Sequence, residues 1–168
     1  SNILVDGIIP QMTAIISSTP NGFYKAGSVI AVRVNFSEPV TLTGTLNVNL
    51  DSGGVAVISA FVGTTATSTY TVLAGHTSPD LSATSVTLNG TATDAVFNDL
   101  SLALPVININ TGSNIVIDTT DPVISSIVSL TADGAYTIGA NISIRINFSE
   151  IVTVIGTMNL NLDTGGIA

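Results

Sequence analysis

The chain has 168 residues, 3 Lys+Arg against 11 Asp+Glu, a net charge of −8 and 45% apolar residues, enough for one domain or one and a half small ones. Its cations, Lys25, Arg33 and Arg145, are isolated, which excludes the basic clusters that nucleic acid needs. The absence of Cys excludes disulfides, thiolate zinc sites and cysteine nucleophiles.

Thr, Ser, Asn and Gly interrupt every apolar stretch before the ~20 residues that a membrane-spanning helix needs, so no membrane insertion is expected. The start has no charged and apolar leader pattern, which puts any export signal outside these residues. Few Lys and Glu and many Thr, Val, Ile, Ser, Asn and Gly favour strands and turns over helices.

In chain order, strands are expected over residues 11–17, 28–36, 40–50, 54–62, 67–74, 83–88 and 103–118, the last one broken. Turn signals separate them: TPNG at 19, DSGG at 51, a Ser/Pro/Asp stretch near 77–80 and NG at 89. Many short strands at this spacing predict an all-β chain, a β-sandwich of about 100 residues per module.

The second half repeats the first. An offset of 112 residues (147 − 35) pairs Asn35 with Asn147, Pro10 with Pro122, Tyr24 with Tyr136 and Asp51 with Asp163. It also pairs SNILVD at the start with SNIVID at 113–118, without a gap. Residues 1–7 are therefore expected to be the last strand of a preceding module. Residues 8–118 form a complete module, and 119–168 the N-terminal half of another.

The copies fix the register. Ile142, Ile144, Ile146 and Phe148 alternate with Asn141, Ser143, Arg145 and Asn147, which is the period-two pattern of a half-buried strand. Ile30, Val32, Val34 and Phe36 should then face inward and Arg33 outward. So should Leu46, Val48 and Leu50, their partners Met158, Leu160 and Leu162, and Tyr70, Val72 and Ala74.

The pattern NGFYKAGSVIAVRVNFSEPVTLTGTLNVNLDSGG, closed by NIVIDTTDP, resembles the bacterial immunoglobulin-like tandem repeats of very large secreted surface proteins, among them RTX-type adhesins and related cell-surface fibres. The resemblance spans the whole chain in register with the repeat. It implies tandem Ig-like sandwiches of about seven strands, an extracellular place on the bacterial surface, and a rigid spacer stiffened by Ca²⁺ at module junctions. The first linker departs from the pattern: VDGIIP stands where the second has IDTTDP, so Ile9 is the counterpart of Asp121.

VNFSEPV at 34–40 returns as INFSEIV at 146–152, so a sparingly charged chain writes one glutamate, Glu38 and Glu150, twice. In an Ig-like strand order, Glu38 lies at the end of the sandwich next to the incoming linker. The connection TATDAVFND at 91–99 returns to the same end. Asp6, Glu38, Asp94, Asn98 and Asp99 are thus expected to converge, with Asp118, Asp121 and Glu150 as the equivalent set for the second module. Calcium takes roughly 6–8 oxygen ligands, which such a set supplies. Asp and Glu at strand ends are otherwise solvated or cap local backbone N–H groups, and no complete EF-hand pattern is present.

Other features carry less. His76 and Asp80 are paired with no serine in any recognisable catalytic motif. Asp51 and Asp163 read as turn residues, and Tyr24 and Tyr136 as packing across a turn. The counterpart of Lys25 is Thr137, which argues against an isopeptide bond in each module. The expected function is non-catalytic. The alternative, a carbohydrate- or protein-binding module, would want an aromatic platform, yet aromatics are only 5% and Trp is absent. The half-module would expose an apolar face. Either a continuing chain or strand addition from another copy, in a head-to-tail fibre, would complete it.

Overall fold

The computed structural model describes residues 5–168. It divides into two compact units, one up to Thr119 and one from Thr120 to Ala168. The strand expected at 1–7 falls partly outside the described residues. Val5, Asp6 and Gly7 are not in a strand.

The first unit is all-β apart from one helical turn. Its strands are β1 (Met12–Ile16), β2 (Gly22–Tyr24), β3 (Val29–Leu50), β4 (Val55–Thr71), β5 (Ala83–Thr93) and β6 (Ile115–Ile117), with α1 (Ile109–Gly112) before the last. β3 is the centre. It pairs antiparallel with β1 over residues 33–36, with β5 over 41–50, and with β4 along most of its length.

Two separate strands were expected where β3 runs, and two where β4 runs. Each is one continuous strand that turns a corner. In β3 the register with β4 skips from Asn35 to Val40, across Pro39, whose ring supplies no N–H to the ladder. In β4 the corner is at Gly63. The limbs before and after these corners form two layers around one core. Ile30, Val32, Val34 and Phe36 of the first limb of β3 share it with Val40, Leu42, Leu46, Val48 and Leu50 of the second.

β5 runs to Thr93, beyond the expected end at 88, because β3 and β5 cross at two glycines. Gly44 pairs with Gly90 and both have positive φ. A Cβ on either would strike the backbone carbonyl of the other strand. The long strand expected at 103–118 is broken more thoroughly than the pattern suggested. It contains a single bridge at Ile107, then α1 capped by Asn108, then β6 in parallel with β2. The pairing of β2 had no signal beyond a turn. Ala74, expected inside, is exposed because β4 ends at Thr71.

The second unit holds β7 (Ile124–Ser129) and β8 (Ile144–Phe148), paired antiparallel. It repeats the β1–β3 pairing residue for residue. Met12 opposes Phe36 as Ile124 opposes Phe148, and Ile15 opposes Val34 as Ile127 opposes Ile146, with the same bulge. Side-chain bonds repeat as well: Ala31 N–H donates to Thr19 Oγ1 and Ser143 N–H to Thr131 Oγ1, both at 2.9 Å. The tyrosines close the same turn, Tyr24 donating to the Pro20 carbonyl and Tyr136 to the Ala132 carbonyl.

The strand expected near 157–162 does not form; only a bridge between Asn161 and Ile167 does. In the first unit this segment's counterpart is held between β4 and β5, and residues 120–168 contain neither. For the same reason the inward face is only half covered. Ile144, Ile146 and Phe148 are half-buried, and Ile142 and Met158 are exposed.

Candidate cation site

The corner of β3 is pinned to the segment before β1. Ser37 N–H donates to the Gln11 carbonyl at 2.9 Å, and Gln11 N–H donates back to Ser37 Oγ at 3.0 Å. This fixes the next residue, Glu38, at the end of the first unit where the chain comes in. Ser149 and Val123 make the same reciprocal pair in the second unit. The repeated glutamate therefore follows a repeated serine clasp, at the corner of β3 in the first unit and just past the end of β8 in the second.

After β5, residues 94–98 form a tight loop around one carboxylate. Asp94 Oδ1 accepts from the backbone N–H groups of Val96 and Asn98 at 2.9 and 2.8 Å, and Oδ2 accepts from Asn98 Nδ2 at 2.7 Å. The turn forces Phe97 into the left-handed region, φ 71°, which bulky residues rarely adopt. Asn98 Nδ2 also reaches the incoming segment, 3.3 Å from the Asp6 carbonyl and 3.2 Å from the Ile8 carbonyl. One amide nitrogen thus faces three oxygens.

Asp6, Glu38 and Asp94 each place a carboxylate oxygen within 4.8 Å of the others. It is the carboxylate group of this kind among the described residues. Asp94 is 4% exposed, Asp6 and Glu38 half-buried. Burial, then the negative charges of Asp6 and Asp94, push the Glu38 carboxyl up from the ordinary glutamate range. Burial also opposes the charge of Asp94, but the bonds from the Asn98 side chain and from the Asn98, Val96 and Phe97 backbones outweigh it and hold that carboxyl below the ordinary range.

Compared with protein families, characterised proteins and solved structures, the chain gives no match. The donors of the site are all hard oxygens, the set that suits Ca²⁺ rather than a softer metal. Glu38 Oε1 is buried and has no hydrogen-bond partner, a costly arrangement that a cation between the three carboxylates would relieve. The residues fit calcium on these grounds.

Asp99, expected in this set, is not in the cluster. It is exposed and its backbone bridges Thr93. Asp118 belongs to the first unit, its N–H donating to the Tyr24 carbonyl. Asp121 and Glu150 belong to the second and are exposed. His76 serves packing: its Nδ1 faces Tyr70 Oη at 2.7 Å and Leu73 N–H at 3.2 Å. Sequence reasoning missed the Asp6 and Ile8 carbonyls, since backbone oxygens leave no residue-type signal. It placed Asn98 in the set, but as an oxygen donor, whereas its N–H₂ clasps the incoming chain.

Proposed function

We propose that the chain is a non-catalytic structural segment of a secreted bacterial adhesin or extracellular surface fibre, built from tandem Ig-like modules that act as rigid spacers. In this reading each module is a bead, and a calcium ion held by Asp6, Glu38 and Asp94 fixes the segment that enters it. The supporting observation is that one side of the cluster belongs to the incoming chain. Asp6 supplies a carboxylate, and Asn98 grips the carbonyls on either side of Gly7. An ion there would couple the incoming segment to the corner of β3 and the loop after β5, which limits bending where the chain enters.

The test is a calcium titration of the 168-residue chain, read by melting and by amide hydrogen exchange at residues 5–9. An ion that binds only the folded state stabilises it by mass action, by about 2.7 kcal/mol at a hundredfold excess over Kd. Melting should rise with calcium, fall with chelator, and be accompanied by slower exchange at 5–9. The absence of both responses would remove the calcium part of the reading.

A further inference from the structure

In the first unit β6 closes onto β2. Gly22, Phe23 and Tyr24 run parallel to Ile115, Val116 and Ile117. Bonds bracket the pair at both ends. Gly22 N–H donates to the Asn114 carbonyl, Asn114 N–H to Asn21 Oδ1, and Asp118 N–H to the Tyr24 carbonyl. Ile115 and Ile117 join the core with Ile30 and Val32.

The second unit keeps the β2 side of this arrangement. DGAY at 133–136 is the counterpart of NGFY at 21–24, so Asp133 retains a side-chain oxygen where Asn21 accepts. The surrounding turn is the same. Tyr136 donates to the Ala132 carbonyl as Tyr24 does to that of Pro20. Ala140 N–H donates to the Thr137 carbonyl as Ser28 N–H does to that of Lys25. Yet residues 133–136 are in no strand, and Tyr136 is 50% exposed. The turn is in place, and among the described residues nothing pairs with it as β6 pairs with β2.

The chain carries a second segment of the β6 type. SNILVD at 1–6 repeats SNIVID at 113–118, with Leu4 for Val116 and Val5 for Ile117. Val5 is 87% exposed, whereas Ile117 is 2% exposed. Asp6 is the counterpart of Asp118. Its carboxylate and carbonyl face the first unit, so its N–H can donate to a Tyr136 carbonyl as that of Asp118 does to Tyr24.

We infer that residues 1–6 of one copy add as a parallel strand to residues 133–136 of a second copy, with Ile3 and Val5 on the apolar face that carries Ile142 and Ile144. Such strand addition takes its affinity from main-chain bonds and its specificity from alternate side chains. Reach favours a second copy over the segment's own chain. Asp6 sits at the corner end of the first unit, bonded to Asn98. The chain leaves at the other end, where Thr119 Oγ1 accepts from Gly75 N–H. The first limb of β3 between them spans about 25 Å, and residues 1–5 extend about 18 Å at most. Donor and acceptor surfaces differ, so the contact is heterologous and propagates from copy to copy instead of closing on a dimer. It rests on the repeat and needs no ion at Asp6, Glu38 and Asp94.

Sedimentation of the whole chain over a range of concentrations tests the proposal. Wild-type mass should grow past that of a dimer, with the amides of 134–136 exchanging more slowly as it does. Ile3→Asp with Val5→Asp removes the apolar face of the donor and should weaken association by about tenfold or more, the effect of losing a buried anchor. Gly134→Pro removes the N–H equivalent to that of Gly22 and should do the same. Mixed together, the two variants should form a one-to-one dimer and nothing larger, because each retains the half that the other has lost. A wild type that stays monomeric overturns the proposal. So does growth that either variant leaves intact, or a mixture that does not associate. Protection of 134–136 that is independent of concentration would also overturn it, by placing the segment on its own chain.

Discussion

Asn98 Nδ2 donates to Asp94 Oδ2 at 2.7 Å, and the same nitrogen holds the two carbonyls that flank Gly7. Because Asp94 is held below the ordinary aspartate range, its contribution to stability is present above the unfolded value and lost as pH falls through the folded one. Asn98→Ala removes the largest of the bonds that lower it. The acid side of the stability–pH curve should move to higher pH, and exchange at residues 5–9 should quicken. An unmoved acid limb with unchanged exchange would show that Asn98 is not the clasp.

Glu38 has the opposite sign. Its carboxyl is raised in the folded state, so the folded form binds the extra proton, and stability falls as pH rises from the unfolded value through the folded one. Glu38→Gln removes that penalty. In chelator above neutral pH the variant should melt higher than wild type, whereas in calcium it should gain little. The two calcium-response curves should therefore cross. A variant that melts below wild type in both conditions would mean that Glu38 acts through some other contact.

Alternation made the core legible: Ile30, Val32, Val34, Phe36, Leu46, Val48, Leu50, Tyr70 and Val72 are buried as the period-two pattern requires. The repeat made the glutamate legible as a feature of the module, because Ser-Glu follows Asn-Phe in both copies. What stayed hidden was long-range or backbone-borne. A corner and a strand end look alike in sequence, since Pro39 or Gly63 signals either one. The grip on Ile8 is a bond to a carbonyl 90 residues away from Asn98, which no local pattern encodes. Asp99 has the same residue type as Asp94, five positions on, and only the turn at 94–98 decides which of them is drawn in.

Equivalent isoleucines in the two units provide a direct comparison. Ile30 is 0% exposed and Ile142 is 45% exposed, although both occupy the same place in the repeat. Ile30→Ala should cost about 2–5 kcal/mol, since a cavity is left in a filled core. Ile142→Ala should cost well under about 1 kcal/mol, as exposed substitutions do. Denaturant unfolding of each variant, followed by probes in the matching unit, measures both. Equal costs would mean that the second unit's face is covered in solution.

Tyr70 is the largest fully buried side chain of the core, and its hydroxyl joins two polar neighbours. Its oxygen lies 2.7 Å from His76 Nδ1, which also faces Leu73 N–H at 3.2 Å. The hydroxyl accepts from Ser52 Oγ at 3.1 Å. Tyr70→Phe leaves the O–H of Ser52, which is only 5% exposed, without its acceptor, while Ser52 Oγ keeps the Gly54 N–H at 3.4 Å, and it removes the hydroxyl beside His76 Nδ1. The expected cost is about 1–3 kcal/mol. Adding Ser52→Ala should not add its full single-variant cost, because the group left unpaired is removed with it. Strict additivity in this double-mutant cycle would show that the serine and the tyrosine act independently, and that the chain of bonds from Ser52 to His76 does not stabilise the turn between β4 and residue 78.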